Sequence, residues 1–153
     1  MAQQFNDDGL KHIEAGELDE AQALFRQALD ADLLYPAAHN NLGLVLLRQG
    51  KMYESAWEFS YAAKLMPHSA EPRHNLGTLM EKMGRFDEAE TQYEAALAID
   101  DSNVEVMGHL ARVYVKQDRR DEKAISLLRK LAFQSDVGDW NRWARMWLVK
   151  LKE

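Results

Sequence analysis

An all-α solenoid of helical hairpins is the fold this sequence predicts, and three observations predict it. A phrase recurs: His39-Asn40-Asn41-Leu42-Gly43 is echoed 34 residues later by Arg73-His74-Asn75-Leu76-Gly77. Single residues keep the same step, as in Gly16, Gly50 and Gly84; Phe25, Phe59 and Tyr93; and Ala28, Ala62 and Ala96. Between these landmarks apolar residues return at helical spacing. A fixed period of that length means helix pairs stacked in a row, each burying its apolar face against its neighbours, rather than a closed globule.

The first unit, residues 2–35, is weak at its start, where Asp8-Gly9 stands in place of Leu42-Gly43. Its second half is clear: Gly16-Glu17-Leu18-Asp19-Glu20-Ala21, then Phe25 and Ala28. The second unit, residues 36–69, opens on Pro36, which suits a helix's first turn. It turns at Gly50, carries Ser55 where the other units have a small alanine, and ends at Pro67. In the third unit, residues 70–103, helices are expected over 70–83 and 86–99. Gly84 sits between them, where a helix C-terminus wants left-handed dihedrals. Asp87-Glu88 fall in the first turn of the second helix and suit its positive end. Leu76, Leu79 and Met80 form one apolar stripe, and Phe86, Ala89, Tyr93, Ala96 and Leu97 another. Small residues at Gly77, Ala89 and Ala96 let the paired helices approach, and the large ones fill the remaining space.

The fourth unit, residues 104–135, is degenerate. Leu110-Ala111 replaces Leu-Gly, and Asp118 replaces the turn glycine. Lys123 and Lys130 fall where alanines are expected, and one extra residue between Arg119 and Lys123 restores the register, with Leu128 and Leu131 on the core side. The remainder reads as a capping helix over 139–152, started by Asp136 or Asp139. Trp140, Trp143, Ala144, Trp147, Leu148 and Leu151 form its stripe.

Composition narrows the function. The chain has 153 residues, enough for one domain, with 46% hydrophobic and 29% charged residues, the balance of a folded protein. A formal net charge of −6 disfavours non-specific binding to nucleic acid or anionic membranes. There is no cysteine, hence no disulfide or thiolate chemistry. The N-terminus lacks the basic and apolar regions of a signal peptide, and no stretch is long and apolar enough to span a bilayer. A cytoplasmic setting is therefore expected.

The 34-residue step, the Leu-Gly pair, the turn glycine, the Asp-Glu-Ala, the aromatic and the later alanine together resemble the tetratricopeptide repeat. The second and third units match strongly, the second half of the first matches well, and the fourth matches mainly through its first helix. The resemblance implies a right-handed α-solenoid of about four helix-turn-helix repeats plus the cap. Its first helices would line a concave face that binds extended or helical peptides. These motifs record helix packing, so they specify fold rather than function.

Stacking places equivalent residues of the first helices in rows. One row is Asp7, Asn41, Asn75 and His109, with Asn40 and His74 beside it. An asparagine carboxamide offers a donor and an acceptor, matching a peptide unit. The alternative is that these asparagines bond nearby helix backbone or water. A second row is Glu14, Arg48, Lys82 and Lys116, and with Arg112 it would form a basic strip suited to carboxylates or phosphates. Alternatively, those cations are solvated or paired with Glu81 and Asp118. Leu10, Ile13, Leu44 and Leu47 fall on neighbouring positions, either as an apolar pocket or as core. Asn6, Asn40, Glu71 and Glu105 stand where the lysines of a chaperone-tail carboxylate clamp would be required, so that ligand is not expected.

No catalytic constellation, phosphate loop or metal-ligand spacing emerges, so neither an enzyme nor a cofactor is expected. The leading expectation is an adaptor that binds a protein or peptide, with acidic groups on the ligand if the basic row converges. The alternative is a self-assembling scaffold joined through its ends, for which Trp140, Trp143 and Trp147 would supply an interface. The expected state is a monomer or weak homo-oligomer, with no nucleic acid and no membrane insertion.

Overall fold

The computed structural model describes residues 1–134 and 138–152. Nine helices run through them: α1 (Ala2–Ala15), α2 (Leu18–Ala31), α3 (Pro36–Arg48), α4 (Met52–Leu65), α5 (Glu71–Lys82), α6 (Phe86–Ile99), α7 (Val104–Lys116), α8 (Glu122–Phe133) and α9 (Gly138–Lys150). No strand occurs among the described residues, and no described helix is long and apolar enough to cross a membrane.

Each odd helix pairs with the even helix after it, and each even helix packs on the next odd one. The odd helices also approach one another in the series α1, α3, α5, α7, so they form the inner face of the curve. The core is correspondingly divided along the chain. Phe25, Leu42, Val45 and Leu46 close the N-terminal part, Phe59, Leu79, Tyr93, Val106 and Val113 the centre, and Met107, Leu128, Leu131 and Ala144 the C-terminal part. This is the quasi-one-dimensional solenoid that the period predicts.

Two local devices set the hairpin geometry. The first is the turn. Gly84 takes φ 73°, its N–H bonds Glu81 O at 3.0 Å, and the next N–H, of Arg85, bonds Met80 O at 2.9 Å. Those two bonds make a Schellman end that closes α5. Asp118 repeats it at φ 50°, with N–H bonds to Val115 O and, from Arg119, to Tyr114 O. Here a side chain sits in the left-handed region that favours glycine.

The second device is close approach. The Tyr93 ring lies so near Gly77 that a Cβ there would meet it at 2.6 Å. Ser55, in the alanine position of the second unit, is fully buried and satisfied, its Oγ donating to Gly43 O at 2.7 Å.

In the last hairpin Ala124, Leu128 and Leu131 are buried while Lys123 and Lys130 are exposed, which is the register shifted by one residue. Asp121 caps α8, accepting from the Ala124 N–H at 3.1 Å, and Arg119 and that bond hold its carboxyl down at about 2. Asp139 lies inside the first turn of α9 rather than before it, which corrects its expected role as the N-cap. Ser135 and Asp136 lie outside the described residues.

Candidate ligand-binding groove

The asparagine rows form a seam between neighbouring odd helices. Asn41 on α3 donates through Nδ2 to Asn6 Oδ1 on α1 at 2.8 Å. One unit later, Asn75 on α5 donates through Nδ2 to Asn40 Oδ1 on α3 at 3.0 Å. Asn40 also donates through Nδ2 to Glu71 Oε1 at 2.9 Å. The same step continues with a change of chemistry, the His74 and His109 rings meeting edge to face with centroids 5.1 Å apart.

Asn6, Asn40 and Asn41 are buried, whereas Asn75 is half-exposed. The carboxamides thus bond side chains one unit away. Burial, and then the neighbouring His109, push the His74 imidazole below its ordinary value, which favours its neutral form.

The basic row divides into two halves. Glu81 on α5 is buried, and the C-terminal cations converge on it. Arg112 donates Nε to Oε1 at 2.7 Å and Nη2 to Oε2 at 2.9 Å, and Lys116 Nζ donates to Oε1 at 3.1 Å. The Tyr93 hydroxyl adds a bond to Oε2 at 3.1 Å. Burial opposes the negative charge of Glu81. The contacts from His109, Arg112 and Lys116 outweigh it and hold the carboxyl well below the usual range. Burial pushes the Tyr93 phenol well above its ordinary value.

Arg112 and Lys116 thus share one internal carboxylate, which offsets one of their two positive charges. Arg48 and Lys82 differ: both are exposed, and neither has an ion-pair partner among the described residues. Glu14, at the N-terminal end of the row, is also exposed.

Leu44 and Leu47 pack against the central core, and Ile13 against the N-terminal core. Only Leu10 of that group is exposed. The apolar pocket expected at the N-terminal end is therefore largely core, because consecutive helix pairs close over those positions.

The groove's C-terminal end is closed by an indole. Trp140 on α9 lies against Gly108 on α7 in the space a Cβ would take. Its Nε1–H donates to Glu105 Oε2 at 3.1 Å, and the Arg112 guanidinium lies 5.7 Å from its ring centroid. The Trp140 bond, set against burial and joined by one from His109, keeps the Glu105 carboxyl below its ordinary value. Trp143 and Trp147 follow down α9, half-buried against the C-terminal core.

All three tryptophans therefore face the fold, and the most exposed large apolar residues at this end are Phe133 and Val149. Sequence reasoning passed over Phe133. The signal was available, since the one-residue shift aligns Phe133 with Ala98, Lys64 and Asp30, all of them exposed. Among the described residues no group of three or more His, Cys, Asp or Glu converges on a point that would hold a metal ion.

Two family profiles, both described as tetratricopeptide repeat, match residues 7–70 and 70–103. No curated protein matches by sequence. Solved structures match in fold. The first TPR domain of Spaghetti (RPAP3), bound to the HSP90 peptide SRMEEVD, is 21% identical with a TM-score of 0.73, the match covering 76% of this chain and 95% of that one. A tetratricopeptide repeat protein from Parabacteroides merdae is 18% identical with a TM-score of 0.86, over 99% of this chain and 60% of that one. MamA is 15% identical with a TM-score of 0.79, over 97% and 81%. At these identities the likeness concerns the arrangement of helices.

Proposed function

The chain belongs to the tetratricopeptide-repeat family, and from that premise we propose that it is a protein-interaction module whose concave face takes an acidic peptide segment across its central part. The observation that carries this reading is the pair Arg48 and Lys82. They are exposed cations one repeat step apart, at the C-terminal ends of α3 and α5, without acidic partners among the described residues, in a protein of net charge −6. A ligand carboxylate would supply the missing partners, and Asn75, half-exposed two turns before Lys82 on α5, offers a carboxamide to a peptide unit.

The seam chemistry limits where such a ligand would lie. Asn6 and Asn41 already bond each other, and Glu81 already pairs with Arg112. The related RPAP3 domain holds a peptide ending in acidic residues, which supports an acidic segment as the ligand class. Asn40 and Glu71 bond each other here and offer no lysine, so the ligand differs from a chaperone tail gripped by a lysine clamp.

The test is a random peptide library selected on the immobilised protein. Selected sequences should be rich in Asp and Glu and should bind about tenfold more weakly to the double variant Arg48→Glu/Lys82→Glu. Peptides that bind this variant and Asn75→Ala unchanged would show that the groove reading is wrong.

A further inference from the structure

A cleft of about 660 Å³ opens between α8 and α9 on the outer side of the C-terminal end, away from the groove. Its floor is Phe133, Leu148 and Val149, and its rim is Arg129, Arg145 and Lys152. Phe133 is 83% and Val149 61% exposed, so this is apolar surface left open to water.

The architecture identifies the shape that fits there. One unit earlier α7 packs on α6 as α9 packs on α8, and α8 then covers α7, bringing Ala124 and Leu127 onto Leu110 and Val113. The cleft is the same seat one step along the solenoid, on α8 and α9. A single amphipathic helix fills such a seat everywhere else in the fold.

Charge identifies the chemistry of that helix. Residues 119–152 carry nine Lys and Arg against four Asp and Glu, although the whole chain has a net charge of −6. The rim cations are poorly neutralised. Arg145 donates to the Ala132 carbonyl at 3.1 Å, Arg129 reaches only the exposed Glu122 at 3.4 Å, and Lys152 makes no ion pair among the described residues. Two copies meeting through this face would oppose cation to cation, which disfavours a symmetric dimer.

We propose that the α8–α9 cleft is a docking site for an acidic amphipathic helix of a partner protein, seated as the second helix of a hairpin sits elsewhere in the fold. The surface is separate from the groove, and the proposal stands or falls independently of the peptide-binding reading.

The chain supplies its own probe. The α6 segment, Phe86–Ile99, is a second helix by position. It carries Asp87, Glu88, Glu90 and Glu94 and no Lys or Arg. The α8 segment, Glu122–Phe133, is a second helix with Lys123, Arg129 and Lys130, and it serves as the basic comparator. Both are made as fluorescent, end-blocked peptides with a hydrocarbon staple, placed between positions 91 and 95 in the α6 peptide, because isolated helices of this length are marginal in water.

The expected result is saturable anisotropy with the acidic peptide, weakening with salt, and binding at least about tenfold weaker for the basic one. The exposed-site variant Arg129→Glu/Lys152→Glu and the apolar-site variant Val149→Asp should each weaken the acidic peptide about tenfold, with the helical circular dichroism unchanged. Equal binding of the two peptides, insensitivity to both variants, or no binding of either peptide overturns the proposal. Concentration-dependent dimerisation in sedimentation, abolished by Val149→Asp, would assign the cleft to a second copy and equally overturn it.

Discussion

Arg112 on α7 grips Glu81 on α5 with a two-pronged fork, Nε on Oε1 at 2.7 Å and Nη2 on Oε2 at 2.9 Å. The carboxylate is buried and the guanidinium about one-third exposed, so the pair ties one helical hairpin to the next at the edge of the groove. Replacing Glu81 by Gln should cost about 2 kcal/mol, since it removes the charge that Arg112 and Lys116 share.

The pH dependence follows from the direction of the shift. The folded carboxyl sits below its ordinary value of 4.5, so its stabilisation is fully present above that pH and is lost as pH falls through the folded value. Urea unfolding of wild type and Glu81→Gln should therefore differ by a constant amount near neutrality and converge in acid. A gap that stays constant down to the acid limit would contradict this.

Asp118 occupies the left-handed turn position that Gly84 holds one unit earlier, at φ 50° against 73°. Asp118→Gly should stabilise the protein by about 0.5–1 kcal/mol, and Gly84→Ala should destabilise it by about 1 kcal/mol. Thermal unfolding measures both, with a shift of roughly 2–4 °C per kcal/mol for a chain of this size. A lower midpoint for Asp118→Gly, or an unchanged one for Gly84→Ala, would contradict the turn argument.

Gly108 leaves room for the Trp140 indole, and any Cβ there overlaps it. Gly108→Ala should displace the ring, break its bond to Glu105, and cost about 1–3 kcal/mol. The readout is tryptophan fluorescence, which should shift to the red as Trp140 gains water, while far-ultraviolet circular dichroism stays unchanged. An unaltered emission spectrum would show that α9 does not depend on this contact.

The asparagine seam is testable by double-mutant cycles. Asn6 and Asn41 bond directly at 2.8 Å, so Asn6→Ala and Asn41→Ala should couple by about 1 kcal/mol. Asn6 and Asn75 share no bond, and their cycle should close within about 0.3–0.5 kcal/mol. Equal coupling in both cycles would mean that the rows report general packing rather than specific hydrogen bonds.

Much of the fold was legible because its packing is local and repeated. Ala21, Ala89, Phe59 and Tyr93 are fully buried at the positions the period assigns to contact residues. The shifted register around Asp121 could likewise be read from Lys123 and Lys130 falling out of phase. The candidate site was legible only in part. The rows of Asn41, Asn75, Arg48 and Lys82 follow from the 34-residue step, because helices of equal length stacked at equal spacing align equivalent residues. Which of those side chains turn to a neighbour does not follow, because the bonds join residues one unit apart with an extra residue of offset, as in Asn6 with Asn41 and Asn40 with Asn75.

The sequence by itself determined the architecture: a single repeating contact pattern, with glycine turns and small residues under large ones, admits stacked helix pairs and no other simple arrangement. The tertiary structure decided the distribution of free charge and open surface. Glu81 pairs with Arg112 and Lys116, whereas Arg48 and Lys82 stay exposed, and α9 turns its tryptophans inward while Phe133 and Val149 remain in water. The physical reason is that packing within a repeat is encoded by near neighbours in the chain. Pairing of charges and covering of a terminal face depend on side chains about 30 residues apart, whose meeting only the curvature of the stacked helices settles.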